Sequence, residues 1–173
     1  MSRATADLTP DFRVGVERFI AALRAAGAAV TISETWRSKE RAYLMHYAYR
    51  IARENLDPRE VPPLAGVNIC WLHTDAKGNP NLPASKTAAL QMMVAYEIVY
   101  RPILDSHHIA GRAIDMTITW QGNLSIRDAN GKVITITSEP RTGAGNTDLY
   151  KVGATYGVIK LVGDPPHWSD DGH

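Results

Sequence analysis

Two stretches of the chain carry the side chains best suited to chemistry. Ser106-His107-His108-Ile109-Ala110-Gly111-Arg112-Ala113-Ile114-Asp115 holds an imidazole and a carboxylate, and Asp164-Pro165-Pro166-His167-Trp168 holds the same two types again. Two imidazoles and one carboxylate make the three-ligand set with which a hydrolytic zinc site keeps a fourth position for water, whose pKa then falls to about 7. His108, Asp115 and His167 are therefore the candidate ligands of one Zn2+ ion, and Asp164 is a second carboxylate placed to handle protons. Gly111 allows the tight backbone turn that lets His108 meet Asp115. The two prolines favour polyproline-like dihedrals with about three residues per turn, which aims Asp164 and His167 the same way. The residues leave a second reading open, in which all four groups close around a structural ion with no vacant position.

The elements that must position these groups follow from periodicity and punctuation. Thr9-Pro10 followed by Phe12, Val16, Phe19, Ile20 and Leu23 predicts a helix over 10–26, stopped by Gly27. Residues 28–35 are rich in β-branched types and predict a strand that brings Arg37 out at its end. Ser38 caps a helix over 39–55 with Leu44, Tyr47, Ala48 and Ile51 on one face. A proline-rich loop over 56–84 follows, with one short strand expected at 66–72. Residues 85–100 are apolar almost all round, which predicts a helix buried in the core. Alternation over 113–120 predicts a half-buried strand with Asp115 facing away from Ile114. Asp128-Ala129-Asn130-Gly131 is a hairpin signal, and a helix over 147–156 and a strand over 157–162 lead to Asp164 and His167. The fold class expected is α+β: a small, mostly antiparallel sheet with helices on one side and the zinc cleft on the other.

Composition bounds the rest. A length of 173 residues with 45% hydrophobic content predicts one domain spanning 1–173; a monomer is expected, though nothing in the composition sets the oligomeric state. A net charge of +1 gives no field that would draw in nucleic acid. The single cysteine, Cys70, excludes an internal disulfide framework and any cysteine-rich metal site. The first residues lack the apolar core of a secretory signal, and no apolar run is long enough to insert in a membrane. The expectation is a protein made in the cytoplasm without a Sec signal, reaching its site of action through a partner pore or another export route.

The two motifs resemble those of the zinc peptidases that include D-alanyl-D-alanine carboxypeptidases, vancomycin-resistance dipeptidases and phage L-alanyl-D-glutamate endopeptidases. Ser106, His108, Gly111, Ala113 and Asp115 match every fixed position of the first signature, Ser-x-His-x-x-Gly-x-Ala-x-Asp. Asp164, His167 and Trp168 fit the second, in its version with Asp in place of the commoner Glu. Thr35-Trp36-Arg37-Ser38 looks like the family's arginine-bearing turn, and His107 stands where a basic Arg is often seen. The resemblance covers roughly residues 30–170, without a counterpart for the 56–84 loop. It implies His108, Asp115 and His167 as zinc ligands, Asp164 as general base, Arg37 as the group holding the scissile carbonyl oxygen, and the peptidoglycan stem peptide as substrate.

Around this centre several side chains keep two readings. Ser106 contacts substrate or stabilises its turn, His107 contacts substrate or is solvated, and Trp168 clamps a peptide or packs behind His167. Arg112, Arg141 and Lys160 are candidate stops for a terminal carboxylate, which a carboxypeptidase needs and an endopeptidase does not. The expected activity is a peptidoglycan endopeptidase of lysis type. The alternatives are a D-alanyl-D-alanine carboxypeptidase or dipeptidase, and a non-catalytic zinc-containing binding module such as the hedgehog signalling domain, which resembles this peptidase fold.

Overall fold

The computed structural model describes residues 2–173. Along the chain run α1 (Pro10–Ala25), β1 (Ala29–Glu34), α2 (Lys39–Arg53), α3 (Leu82–Ala95), β2 (Ala113–Thr119), β3 (Leu124–Arg127), β4 (Val133–Ile136), α4 (Thr147–Thr155), β5 (Ile159–Lys160) and β6 (His167–Ser169). The fold is α+β, with a four-stranded antiparallel sheet in the order β1-β2-β6-β5 and a separate β3-β4 hairpin. The chain divides into two compact units, Met1–Arg37 with His107–His173, and Ser38–Ser106. Each has its own apolar cluster, which is what makes each compact.

In the first unit α1 forms where proline at its start and glycine after its end predict it. Its stripe of Phe12, Val16, Phe19, Ile20 and Leu23 is buried against Ile114, Met116 and Ile118 of β2, Trp168 of β6, and Leu149 and Val152 of α4. The hairpin adds Leu124, Ile126 and Ile136 to this core, and turns at Gly131 with φ of +85° as Asn-Gly predicts.

Strand β6 is not anticipated by the sequence, because only three residues after a double proline carry it. Its register nevertheless sorts the site. Residues directly opposite each other in neighbouring antiparallel strands share a face of the sheet. One row runs Ile114, Trp168, Lys160 and the adjacent row runs Glu34, Asp115, His167. The first row faces the helices and the second faces away from them, so the pleat alone separates apolar packing from the chemistry. A β-bulge at Ser33 is needed for this arrangement: Ile32 pairs with Met116 but Glu34, not Ser33, pairs with Asp115. Simple alternation would have kept Glu34 on the helix side with Ile32; the extra residue turns it over.

The second unit packs α2 against α3 around Met45, Ala48, Ile51, Ala52, Ala89, Met93 and Ile98. Ser38 caps α2 by accepting the Arg41 N–H. Leu44, expected on the buried face of α2, is only half-buried, while Tyr43 and Met45 are buried. No strand forms at 66–72: Gly66 has φ of +85° and the Val67 N–H bonds to the Leu64 carbonyl at 3.1 Å, a turn in place of extended pairing. The loop is instead held by Tyr43, whose hydroxyl donates to the Pro62 carbonyl at 2.9 Å and accepts from the Trp71 indole N–H at 3.2 Å.

Helix α3 starts earlier than predicted, with Asn81 accepting the Ala84 N–H as its cap, and ends earlier, before Glu97 at φ of +53°. It is not buried all round. Only Ser85, Ala89 and Met93, spaced four apart, are buried, and Val94 is 78% exposed. Small alanines make the helix read as apolar on every side without supplying a second surface to pack. His46 is structural, its Nδ1 at 2.8 Å from the Pro102 carbonyl.

Candidate metal centre

His108, Asp115 and His167 converge. His108 Nε2 lies 3.2 Å from Asp115 Oδ1 and 3.2 Å from His167 Nδ1, and His167 Nδ1 lies 3.1 Å from the same Asp115 oxygen. Donors held at 2.0–2.1 Å by one tetrahedral ion stand about 3.3 Å apart, so this near-equilateral triangle has the dimensions of a zinc ligand set. His167 Nε2 is 3.2 Å from the main-chain oxygen of His173 and donates to it, so the neutral ring keeps a lone pair on Nδ1. That lone pair faces a carboxylate oxygen and a second ring nitrogen. If both rings carry a proton toward Asp115 instead, the two N–H groups oppose each other across the 3.2 Å gap. A single N–H on His108 Nε2 can be shared between Asp115 Oδ1 and His167 Nδ1, and a cation at the centre would satisfy all three atoms at once.

The local sequence explains the convergence. Gly111, at φ of +68°, makes the turn between His108 and β2, and a Cβ there would stand 2.8 Å from the Asp7 carbonyl oxygen, so both conformation and space demand glycine. Asp115 and His167 are register partners. His108 and His167 are buried and Asp115 is half-buried. Burial works against the charged Asp115 carboxylate, but where protons on His108 and His167 take the place of a metal, the hydrogen bonds and charge they supply outweigh it and hold the carboxyl well below its usual range.

Asp164 stands outside the donor triangle. The polyproline geometry expected for Asp164-Pro165-Pro166-His167 is replaced by a β-turn, closed by the His167 N–H donating to the Asp164 carbonyl at 3.1 Å. The turn brings its first and last residues close together. Asp164 is half-buried and its charge is felt by Arg37 and Lys160.

Arg37 is held at the end of β1, its main-chain N–H donating to the His108 carbonyl at 3.3 Å. Its guanidinium makes a two-pronged pair with Glu34, through Nε to Oε1 at 2.9 Å and through a second nitrogen to Oε2. Burial tends to lower the Arg37 pKa, yet the Glu34 hydrogen bond and the charges of Glu34, Asp115 and Asp164 raise it, so the group is a permanent cation. Glu34 is a partner of the candidate site that the sequence does not flag, because the bulge that turns it toward Asp115 leaves no mark in composition or spacing.

The other expected site residues fare differently. Trp168 is fully buried, with ring centroids 5.6 Å from Phe19 and 5.7 Å from Tyr150, so of its two readings it takes the second and packs in the core. An indole buries roughly 150–250 Å², about 4–6 kcal/mol of transfer free energy that exposure would forfeit. His107 Nε2 is 3.0 Å from Asp171, which also accepts from Arg112 at 3.1 Å, and Arg112 Nε donates to Asp170 at 2.6 Å. Ser106 is the half-buried last residue of the second unit. None of the three candidate carboxylate stops is free: Arg112 is paired as above, Arg141 Nε donates to the Gly122 carbonyl at 2.7 Å and pairs with Glu139, and Lys160 is buried.

No protein-family model matches the chain, and no curated protein matches it. No helix among the described residues is long and apolar enough to cross a membrane.

Proposed function

We propose that this protein is a zinc metallopeptidase that hydrolyses a peptide bond in the peptidoglycan stem, as an endopeptidase. The observation that carries the zinc centre is the triangle of His108, Asp115 and His167 donors with edges of 3.1–3.2 Å, a spacing suited to a shared tetrahedral ion. The endopeptidase reading is supported by Lys160, which is buried with its ammonium committed to main-chain carbonyls, and by the ion pairs that engage Arg112 and Arg141. The peptidoglycan substrate rests on the resemblance of the two motifs.

Bound zinc would supply a Lewis acid that polarises a carbonyl oxygen and lowers the pKa of water. Asp164, outside the ligand set, accepts the proton of the attacking water and returns it to the leaving amine. Arg37 stabilises the negative charge that develops on the carbonyl oxygen, and Glu34 keeps its guanidinium from swinging away. The cationic Arg37 also offsets the negative charge that Asp115 and Asp164 bring to one small region.

Purified protein loaded with one equivalent of zinc and incubated with peptidoglycan decides the matter, with the released fragments read by mass spectrometry. A new amine on D-Glu is the expected result. Release of D-alanine would replace the endopeptidase by a carboxypeptidase, and absence of any product with zinc bound would make the protein a binding module.

A further inference from the structure

Lys160 sits on the wrong face of the sheet for a lysine. It is the register partner of Trp168, it is 6% exposed, and its ammonium lies 5.7 Å from the Trp168 ring and 6.0 Å from the Tyr150 ring. A charge in such a place is costly unless every N–H finds an acceptor. Lys160 Nζ has three: it donates to the carbonyls of Leu161 at 2.7 Å, of Asp164, and of His167 at 3.0 Å. These carbonyls belong to the segment 161–167, which leaves β5, turns through Pro165-Pro166 and returns as β6. The ammonium fills the inside of that turn much as a bound monovalent cation would, and its three acceptors include the main chain of both Asp164 and His167.

Resting on the zinc reading above, we infer that Lys160 is a positioning residue, whose ammonium fixes the 161–167 turn so that the His167 imidazole is presented to the metal and the Asp164 carboxylate stays beside it. The double proline removes two backbone donors from the turn, and the turn's own closing bonds are few: Leu161 N–H to the His167 carbonyl at 3.2 Å, Asp164 N–H to the Leu161 carbonyl at 3.4 Å, and His167 N–H to the Asp164 carbonyl at 3.1 Å. The strongest tie across it is charge-assisted and comes from Lys160.

Zinc affinity, measured by competition with a chromogenic chelator, tests this without any need for turnover. Lys160→Met keeps the apolar stem and removes the charge. With its thermal transition retained, its zinc affinity is expected to fall about 10–100-fold, the scale of losses when a group that orients a ligand is removed. Affinity within about twofold of the wild type in the folded variant overturns the inference. Should Lys160→Met fail to fold, Lys160→Ala measured with and without methylammonium decides instead: recovery of zinc affinity with the added cation supports the role, and no recovery overturns it. A wild-type protein that takes up no zinc refutes the metallopeptidase reading, whereas a wild type and a Lys160→Met variant that bind zinc equally refute only the role of Lys160.

Discussion

At the scale of single residues, charges of opposite sign are packed into one half-buried region, and the zinc proposal gives each a distinct task. Removing a ligand and removing the base should therefore give different phenotypes. His108→Ala is expected to lose zinc and activity together, while Asp164→Asn keeps about one equivalent of zinc and loses about 10²–10⁴-fold in turnover; metal analysis beside the fragment assay reads both. Glu34→Ala leaves the Arg37 guanidinium without its two-pronged partner, in a place where the two side chains are 6% and 14% exposed. Breaking such a pair costs about 3–5 kcal/mol, and denaturant unfolding should show a loss of that order, with Glu34→Gln milder because one hydrogen bond survives. The convergence of His108, Asp115 and His167 was legible in the sequence because each of the two stretches that carry them has a short internal spacing of recognisable residue types. Glu34 and Lys160 were not: the first depends on a bulge, and the second on which face of a two-residue strand it occupies.

At the scale of elements, the site depends on how closely the helices approach the back of the sheet. Gly153 of α4 has no room for a side chain: a Cβ would stand 2.8 Å from the Trp168 ring and 2.8 Å from the Val158 carbonyl oxygen. Gly153→Ala should cost about 1–3 kcal/mol by overpacking, and because Trp168 adjoins His167 it should also weaken zinc binding; thermal melts and chelator competition on the same sample report the two effects. Most elements were readable beforehand, since α1, α2, α4, β2 and the hairpin each carry a period and a stop signal. The failures share one cause. Helix α3 is apolar by composition but has only a narrow buried stripe, the 66–72 segment is β-rich but finds no partner, and β6 becomes a strand only because β2 and β5 flank it. Sequence periodicity records which faces can be buried, and it is silent on whether a neighbour exists to bury them.

At the scale of the whole molecule, the zinc proposal ties stability to metal for one unit only. Free zinc at about a thousandfold excess over Kd would add about 4 kcal/mol to whatever binds it, a shift on the order of 10 °C in a transition of this size. Calorimetry with zinc and then with chelator should move a transition belonging to the unit that contains His108, Asp115 and His167 and leave the Ser38–Ser106 unit where it is; transitions that are both indifferent to metal would count against the centre. The division into two units was the feature least accessible from the sequence. Length and overall hydrophobicity are compatible with one core or two, and what distinguishes them is which apolar residues find each other.

The first unit is discontinuous: its chain departs after Arg37 and comes back at His107. The bond from the Arg37 N–H to the His108 carbonyl, at 3.3 Å, means that the points of departure and return are neighbours in space. The intervening stretch is thus topologically a detour, excisable in principle by joining its two ends through a short flexible bridge, and such an abridged chain should fold and still capture zinc, as circular dichroism and metal titration would reveal. The same detour imposes an order on biosynthesis, since β1 has to wait, unpaired on its β2 side, until the whole excursion has emerged from the ribosome.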